Sequence, residues 1–104
     1  MMNKIETIST EELQKKLEAG EKLEMIDVRE HDEVESGMIP GAKHIPMGEI
    51  PDRLDQLDKD KEYIFICRSS ARSGNVCHYL NEQGYKVRNM VGGMMSWGGE
   101  TKQP

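Results

Sequence analysis

The run EYIFIC, residues 62–67, constrains the fold more than any other part of this chain. Tyr63 to Ile66 are four apolar residues in a row, without the polar alternation of a strand that has one face in water, so both faces of this strand are expected to be buried. A strand of that kind needs neighbours on both edges and helices above and below it, which points to an α/β layered architecture. The run ends on a thiol, Cys67, and RSSARS follows before a helical pattern begins.

The rest of the chain supplies those neighbours. Ser9 with Glu12 makes a capping box ahead of Leu13 and Leu17, predicting a helix from Thr10 to Ala19 that stops at Gly20. Leu23, Met25, Ile26 and Val28 form a short strand ending near Asp27 to Arg29, and EHDEVES reads as a short acidic helix stopped by Gly37. Pro40, Gly41, Pro46 and Pro51 punctuate the next segment into loop around a short strand, Lys43 to Ile45, followed by a brief helix through Ile50, Leu54 and Leu57. After EYIFIC, the stretch SGNVCHYLNEQG predicts a helix with Val76, Cys77 and Leu80 on one face. KVRNMVGG then gives the last strand and MMSWGGE a short last helix. Strands alternate with helices, beginning and ending on a strand before that final turn, so a five-stranded, mostly parallel sheet with helices on both faces is expected. Right-handed crossovers would then bring Asp27 to Arg29 and Cys67 to Arg72 to one sheet edge.

With 104 residues, the chain suits one domain spanning 1–104. Its 14 Lys and Arg against 19 Asp and Glu give a net charge of −5 without a sustained basic run, which argues against nucleic acid as a partner. The N-terminal MMNKIETISTEEL lacks a signal-peptide core, and no apolar stretch is long enough to span a membrane, so a cytoplasmic protein is expected. Two cysteines outside a secretory context read as free thiols. Cys77 lies on the apolar face of its helix and reads as core, too far along it to resolve Cys67 by a disulfide. His31, His44 and His78 share no ligand spacing with the cysteines, so neither a metal nor a cofactor is called for. Met94 and Met95 beside Trp97 read as core packing, and GGETKQP as a mobile tail.

A cysteine at the end of a central strand and just before a helix sits where backbone N–H groups lack intrahelical partners and the helix dipole is positive. Arg68, Ser69, Ser70, Ala71, Arg72 and Ser73 are few enough to curl around the sulfur as a cradle of donors, and Arg68 and Arg72 add two charges. Such surroundings lower a thiol pKa from about 8.5 to roughly 7.5 or below. Arginines around a neutral, merely structural thiol would gain nothing.

Four segments, MIDVRE (25–30), GMIPGAKHIP (37–46), IFICRSSARS and GGMMSW (92–97), together resemble the single-domain rhodanese-like sulfurtransferases over nearly the whole chain. That resemblance implies the rhodanese-like fold and an active-site loop that begins at Cys67 and runs through Arg72. It also implies a reaction in which the Cys67 thiolate takes a sulfane sulfur as a persulfide and passes it to an acceptor such as cyanide or a thiol. The implied donor is a small sulfur anion such as thiosulfate, or a protein persulfide. The loop N–H groups would bind that anion together with the charges of Arg68 and Arg72. Asp27 is expected to pair with a loop arginine, Arg72 by preference, and so to hold the cradle's shape, while Arg29 reaches the site edge or pairs with Glu30 or Glu33. Met38 stands where many relatives carry a histidine, and Ser70 where glycine is frequent, which stiffens the loop.

Two other readings stay open. The domain could carry sulfur between proteins with little turnover of small molecules. A cysteine phosphatase or arsenate reductase is the other, but those enzymes place five residues between Cys and Arg, whereas four separate Cys67 from Arg72.

Overall fold

The computed structural model describes residues 5–104. Its elements are β1 (Glu6–Ser9), α1 (Thr10–Glu18), β2 (Glu24–Asp27), α2 (His31–Val34), β3 (Lys43–His44), a 3-10 segment (Met47–Gln56), β4 (Glu62–Ile66), α3 (Ala71–Glu82), β5 (Lys86–Val91) and a 3-10 turn (Met94–Ser96). The five strands form one sheet in the order β1-β5-β4-β2-β3, and every pairing is parallel rather than most of them. The first strand, expected without a position, is Glu6–Ser9, directly ahead of the Ser9 cap, whose hydroxyl accepts from the Glu12 N–H at 3.0 Å.

β4 lies at the centre, and its alternating side chains divide the core in two. Tyr63, Phe65 and Cys67 pack with Val76, Cys77 and Leu80 of α3, with Ile26 and Val28, and with Ile50 of the 3-10 segment. Ile64 and Ile66 face the other way, into a layer with Ile8, Leu13 of α1, Met25, Ile39 and Met90, against which Trp97 rests. Both faces of β4 are thus covered, as its unbroken apolar run requires. Cys77 is fully buried in the first layer, where burial, and secondarily the nearby Cys67, pushes its thiol up to about 12. It is a core residue and not a reactive one.

Several expected elements change in detail, each for a local reason. The brief helix around Ile50 is 3-10 in character because Pro51 lies within it and Arg53 leaves helical geometry at φ −119°. α3 starts at Ala71, two residues before the expected Ser73, so fewer residues remain outside the helix to form the loop. The C-terminal residues do not hang free: Met38 and Lys102 exchange backbone hydrogen bonds of 2.9 and 2.8 Å, and Gln103 donates to the Glu35 carbonyl. Met95 is 68% exposed and is no part of the core, whereas Met94 packs partly against the second layer.

Phe65 is fully buried at the middle of β4. Phe65→Ala should lower the unfolding free energy by about 3–5 kcal/mol, which urea denaturation would measure; a loss below about 1 kcal/mol would mean the central layer collapses around the missing ring.

Candidate active site

Parallel pairing brings the C-terminal ends of β2, β4 and β5 to one edge, and Cys67 follows the last residue of β4 there. The residue is 1% exposed. Burial alone would hold its proton on, and it is the largest single influence on this thiol. Acting against it are the Ser73 hydroxyl and the backbone N–H groups of Ser73, Ser69 and Ser70, which together bring the pKa below the ordinary cysteine value. The geometry matches: the Ser70 N–H donates to Sγ at 3.0 Å and the Ser73 hydroxyl at 3.2 Å. The expected cradle is present, and hydrogen bonding from the turn leads in lowering the thiol, ahead of the charge of Arg72.

Ser70 makes the cradle close. Its φ of +88° places it in the left-handed region, and it is the one non-glycine residue there among those described. The twist turns its N–H back onto the sulfur at the first turn of α3. The Ser70 hydroxyl is not among the contacts to Sγ; the backbone makes the bond. The strained turn is held from β5. The Asn89 amide donates to the Ser70 carbonyl at 3.2 Å, while its side-chain carbonyl accepts from the Ser73 hydroxyl at 2.5 Å. Asn89 sits beside Phe65 in the parallel register, which puts its side chain level with the loop. Ser73 has one hydroxyl proton and three acceptors around it, namely Sγ, the Ser70 carbonyl and Asn89 Oδ1, so Asn89 competes with the sulfur for that proton.

The glycine pair after β5 presses on the loop from the other side. Gly93 has φ +61°, and a Cβ there would collide with the Arg68 carbonyl, so only glycine allows the approach. That approach lets the Met94 and Met95 N–H groups donate to the Cys67 and Arg68 carbonyls at 2.8 and 3.0 Å.

The ionic contacts differ from those expected. Asp27 does not pair with Arg72. It is a fully buried carboxylate, not an exposed one, and it is gripped by Arg29, whose Nη2 lies 2.8 Å from Oδ2 and whose own backbone N–H also donates to it. The two-residue spacing lets Arg29 fold back, and it reaches on to the Gly37 carbonyl at 2.9 Å. Asp27 and Arg29 thus fix the end of β2 to the turn after α2, and removing one partner would strand a buried charge. Arg72 instead makes a two-pronged pair with Glu33 of α2, at 2.6 and 2.7 Å. The bond to Arg72 holds the Glu33 carboxyl down to about 2, from an ordinary 4.5. This latch therefore stabilises the fold fully above about pH 4.5 and loses its effect as pH falls toward 2. Arg68 is exposed and, among the described residues, has no carboxylate partner within 4.0 Å. A depression of about 400 Å³ lies beside the loop, lined by Arg29, Glu33, Ser36, Arg68, Met94 and Met95 among others.

The structure brings Cys67 and the loop Arg68 to Ser73 together; Asp27 lies fully buried at the end of β2, and Arg29, paired with it, reaches the edge of the site as part of the lining of the depression. Asn89, Glu33 and Gly93 join the site without having been expected. The Gly-Gly pair directly after a strand was the available signal for Gly93; nothing in the sequence ties Asn89 or Glu33 to a loop many residues away.

Ser73→Ala removes the hydroxyl donor to Sγ and should raise the Cys67 pKa, read as an upward shift in the pH midpoint of alkylation by iodoacetamide; an unmoved midpoint would assign the effect to the backbone alone. Ser70→Gly relieves a left-handed serine and should stabilise the protein by about 1 kcal/mol, measured by thermal unfolding.

Comparison with known proteins identifies the family to which this fold belongs. Residues 9–100 match the family model described as the Rhodanese-like domain. A Bacillus subtilis protein named "Putative sulfurtransferase YtwF" is 62% identical over 98 residues, which cover 94% of this chain and 95% of that protein. A second protein from the same organism, named "Putative sulfur carrier protein YrkF", is 40% identical over 99 residues, covering 94% of this chain and 54% of its own length. The crystal structure of a rhodanese-like domain protein from Staphylococcus aureus superposes with a TM-score of 0.90 at 38% identity, covering 96% of this chain and 99% of that one. On its fold and on these matches, the chain belongs to the rhodanese-like family, whose relatives bear the names of sulfurtransferases and sulfur carriers.

Proposed function

We propose that this protein transfers a sulfane sulfur from a donor, thiosulfate or a protein persulfide, to a thiophilic acceptor such as cyanide or a thiol, through a persulfide on Cys67. The domain is taken as 1–104, acting in the cytoplasm, where thiols remain reduced. The observation that carries the proposal is the pair of donors, the Ser70 N–H and the Ser73 hydroxyl, aimed at a buried Sγ.

The donors suit each step. Before reaction they favour the thiolate, the form that attacks. Attack on the outer sulfur of the donor forms an S–S bond on Cys67, and the broken bond's electron pair leaves with the remainder of the donor. The added sulfur is then the anionic end of a persulfide, and N–H groups from Ser69 to Ser73 that solvated the thiolate are placed to solvate it. Nucleophilic attack by the acceptor on that outer sulfur restores the Cys67 thiolate. Ser69 and Ala71 contribute as loop backbone, Arg68 as the cation at the mouth, and Arg72, Asp27 and Arg29 by fixing the loop and the β2 end.

A carrier that passes sulfur between proteins uses the same chemistry, and the similarity to a protein named a sulfur carrier favours it as the second reading. The two differ in whether a small acceptor such as cyanide sustains turnover. Phosphate transfer has less support, because α3 begins at Ala71 and leaves only Arg68 to Ser70 between the cysteine and the helix.

Brief incubation with thiosulfate or with a protein persulfide should add about 32 Da, one sulfur atom, to the intact mass, reversed by dithiothreitol. Cys67→Ser should show no gain, and Cys77→Ser should still gain. A protein that accepts sulfur from neither source, or that gains it equally in Cys67→Ser, would end the proposal.

A further inference from the structure

Given sulfur transfer at Cys67, on which this rests, we infer that the site is built for an organic persulfide, R–S–S⁻, rather than for thiosulfate, and that Glu33 sets the preference by holding Arg72.

The charges at the mouth lead there. Of the three arginines around the loop and the depression, Arg29 is neutralised by Asp27 and Arg72 by both oxygens of Glu33. Glu33 also lines the depression, so an arriving donor meets a residue whose charge already balances that of Arg72. Arg68 is left as the cation with no carboxylate within 4.0 Å among the described residues. The depression therefore offers one unbalanced positive charge.

The two donors make different demands on it. With thiosulfate, the Cys67 thiolate meets a dianion: the S–S bond to Cys67 forms, the bond to the sulfonate sulfur breaks with its electron pair, and sulfite leaves. Three negative charges crowd the site throughout. With an organic persulfide, the thiolate attacks the outer sulfur and the bond to the inner sulfur breaks. R–S⁻ leaves with the electron pair, reduced to a thiolate as Cys67 is oxidised to a persulfide. Only two negative charges are present, which one arginine and the loop N–H groups accommodate better.

The other wall adds an independent reason. Met94 and Met95 line the same depression, and Met95 is 68% exposed although it is a large apolar side chain. Flexible thioethers make an adaptable apolar surface. An organic R group gains from that contact, whereas thiosulfate has nothing apolar to place there. The Met95 N–H donates to the Arg68 carbonyl, so this apolar lip and the Arg68 loop are tied together.

The test is the rate at which Cys67 gains about 32 Da, followed by quenched-flow intact mass at limiting cysteine persulfide or limiting thiosulfate. Native protein and Glu33→Gln are compared. Glutamine keeps an acceptor for the Glu30 N–H that Glu33 now caps, so α2 retains its start, and circular dichroism checks the fold. Native protein should load from cysteine persulfide about tenfold or more faster than from thiosulfate, and Glu33→Gln, by releasing the charge of Arg72, should raise the thiosulfate-to-persulfide ratio about fivefold or more. Comparing the ratio between the two proteins cancels the intrinsic reactivity of the donors. Native protein that uses thiosulfate as readily as cysteine persulfide, or a folded Glu33→Gln with an unchanged ratio, overturns the inference while leaving sulfur transfer in place. Loading from neither donor overturns the inference, and failure with a protein persulfide as well overturns sulfur transfer itself.

Discussion

A sulfur atom that must be both buried and negative needs its solvation supplied by the protein. Cys67 has lost nearly all contact with water, and burial by itself would favour the neutral thiol. The hydrogen bonds of one turn reverse that preference, so the rest of the site can be understood as the means of keeping that turn in place. The N–H that faces the sulfur belongs to a serine held at φ +88°, a conformation that costs about 1–2 kcal/mol outside glycine. A turn that unfavourable persists only when neighbouring structure overdetermines it.

The neighbours do so from three directions. Asn89 of β5 ties the Ser70 carbonyl, Gly93 lets the Met94 and Met95 N–H groups reach the Cys67 and Arg68 carbonyls, and Glu33 of α2 fixes Arg72 in the first turn of α3. All three come from segments at the C-terminal edge of a parallel sheet, where successive crossovers deliver their loops. The fully covered β4 supplies the rigid base, and the buried Asp27 and Arg29 pair steadies the adjoining end of β2. An opening that admits a ligand is compatible with this rigidity because the donors to sulfur are mostly main chain and do not depend on exposed side-chain rotamers.

What was legible in the sequence follows the range of the interactions. The strand at Tyr63 to Ile66, the capped α1, the placement of Cys67 before a helix and the core role of Cys77 rest on local pattern, and the structure has them. β1 was hard to place because Glu6–Ser9 is only four residues long, with Ile8 alone buried. Asn89 and Glu33 join the loop across 16 and 39 residues of chain, and no spacing rule reaches that far. Asp27 meets Arg29 and not the expected Arg72, since a carboxylate at a strand end can reach either arginine. Its burial, invisible in sequence, gives the advantage to Arg29, whose backbone and side chain bind it together without bringing in a distant element.

That exchange of partners matters beyond the two residues. Had Asp27 held Arg72, Glu33 would face the depression with no cation against it, and Arg29 would be a charge at 5% exposure without its carboxylate. The observed pairing settles both problems at once: the fully buried carboxylate takes the buried arginine, and the half-exposed Glu33 takes Arg72 at the surface of the loop. The consequence is electrostatic economy at the mouth, where two arginines shape the site while contributing little net charge and Arg68 is left to meet an anion. Counting arginines in the loop therefore overstates the positive charge a donor encounters, and the character of that donor is set as much by the carboxylates behind the loop as by the cations within it.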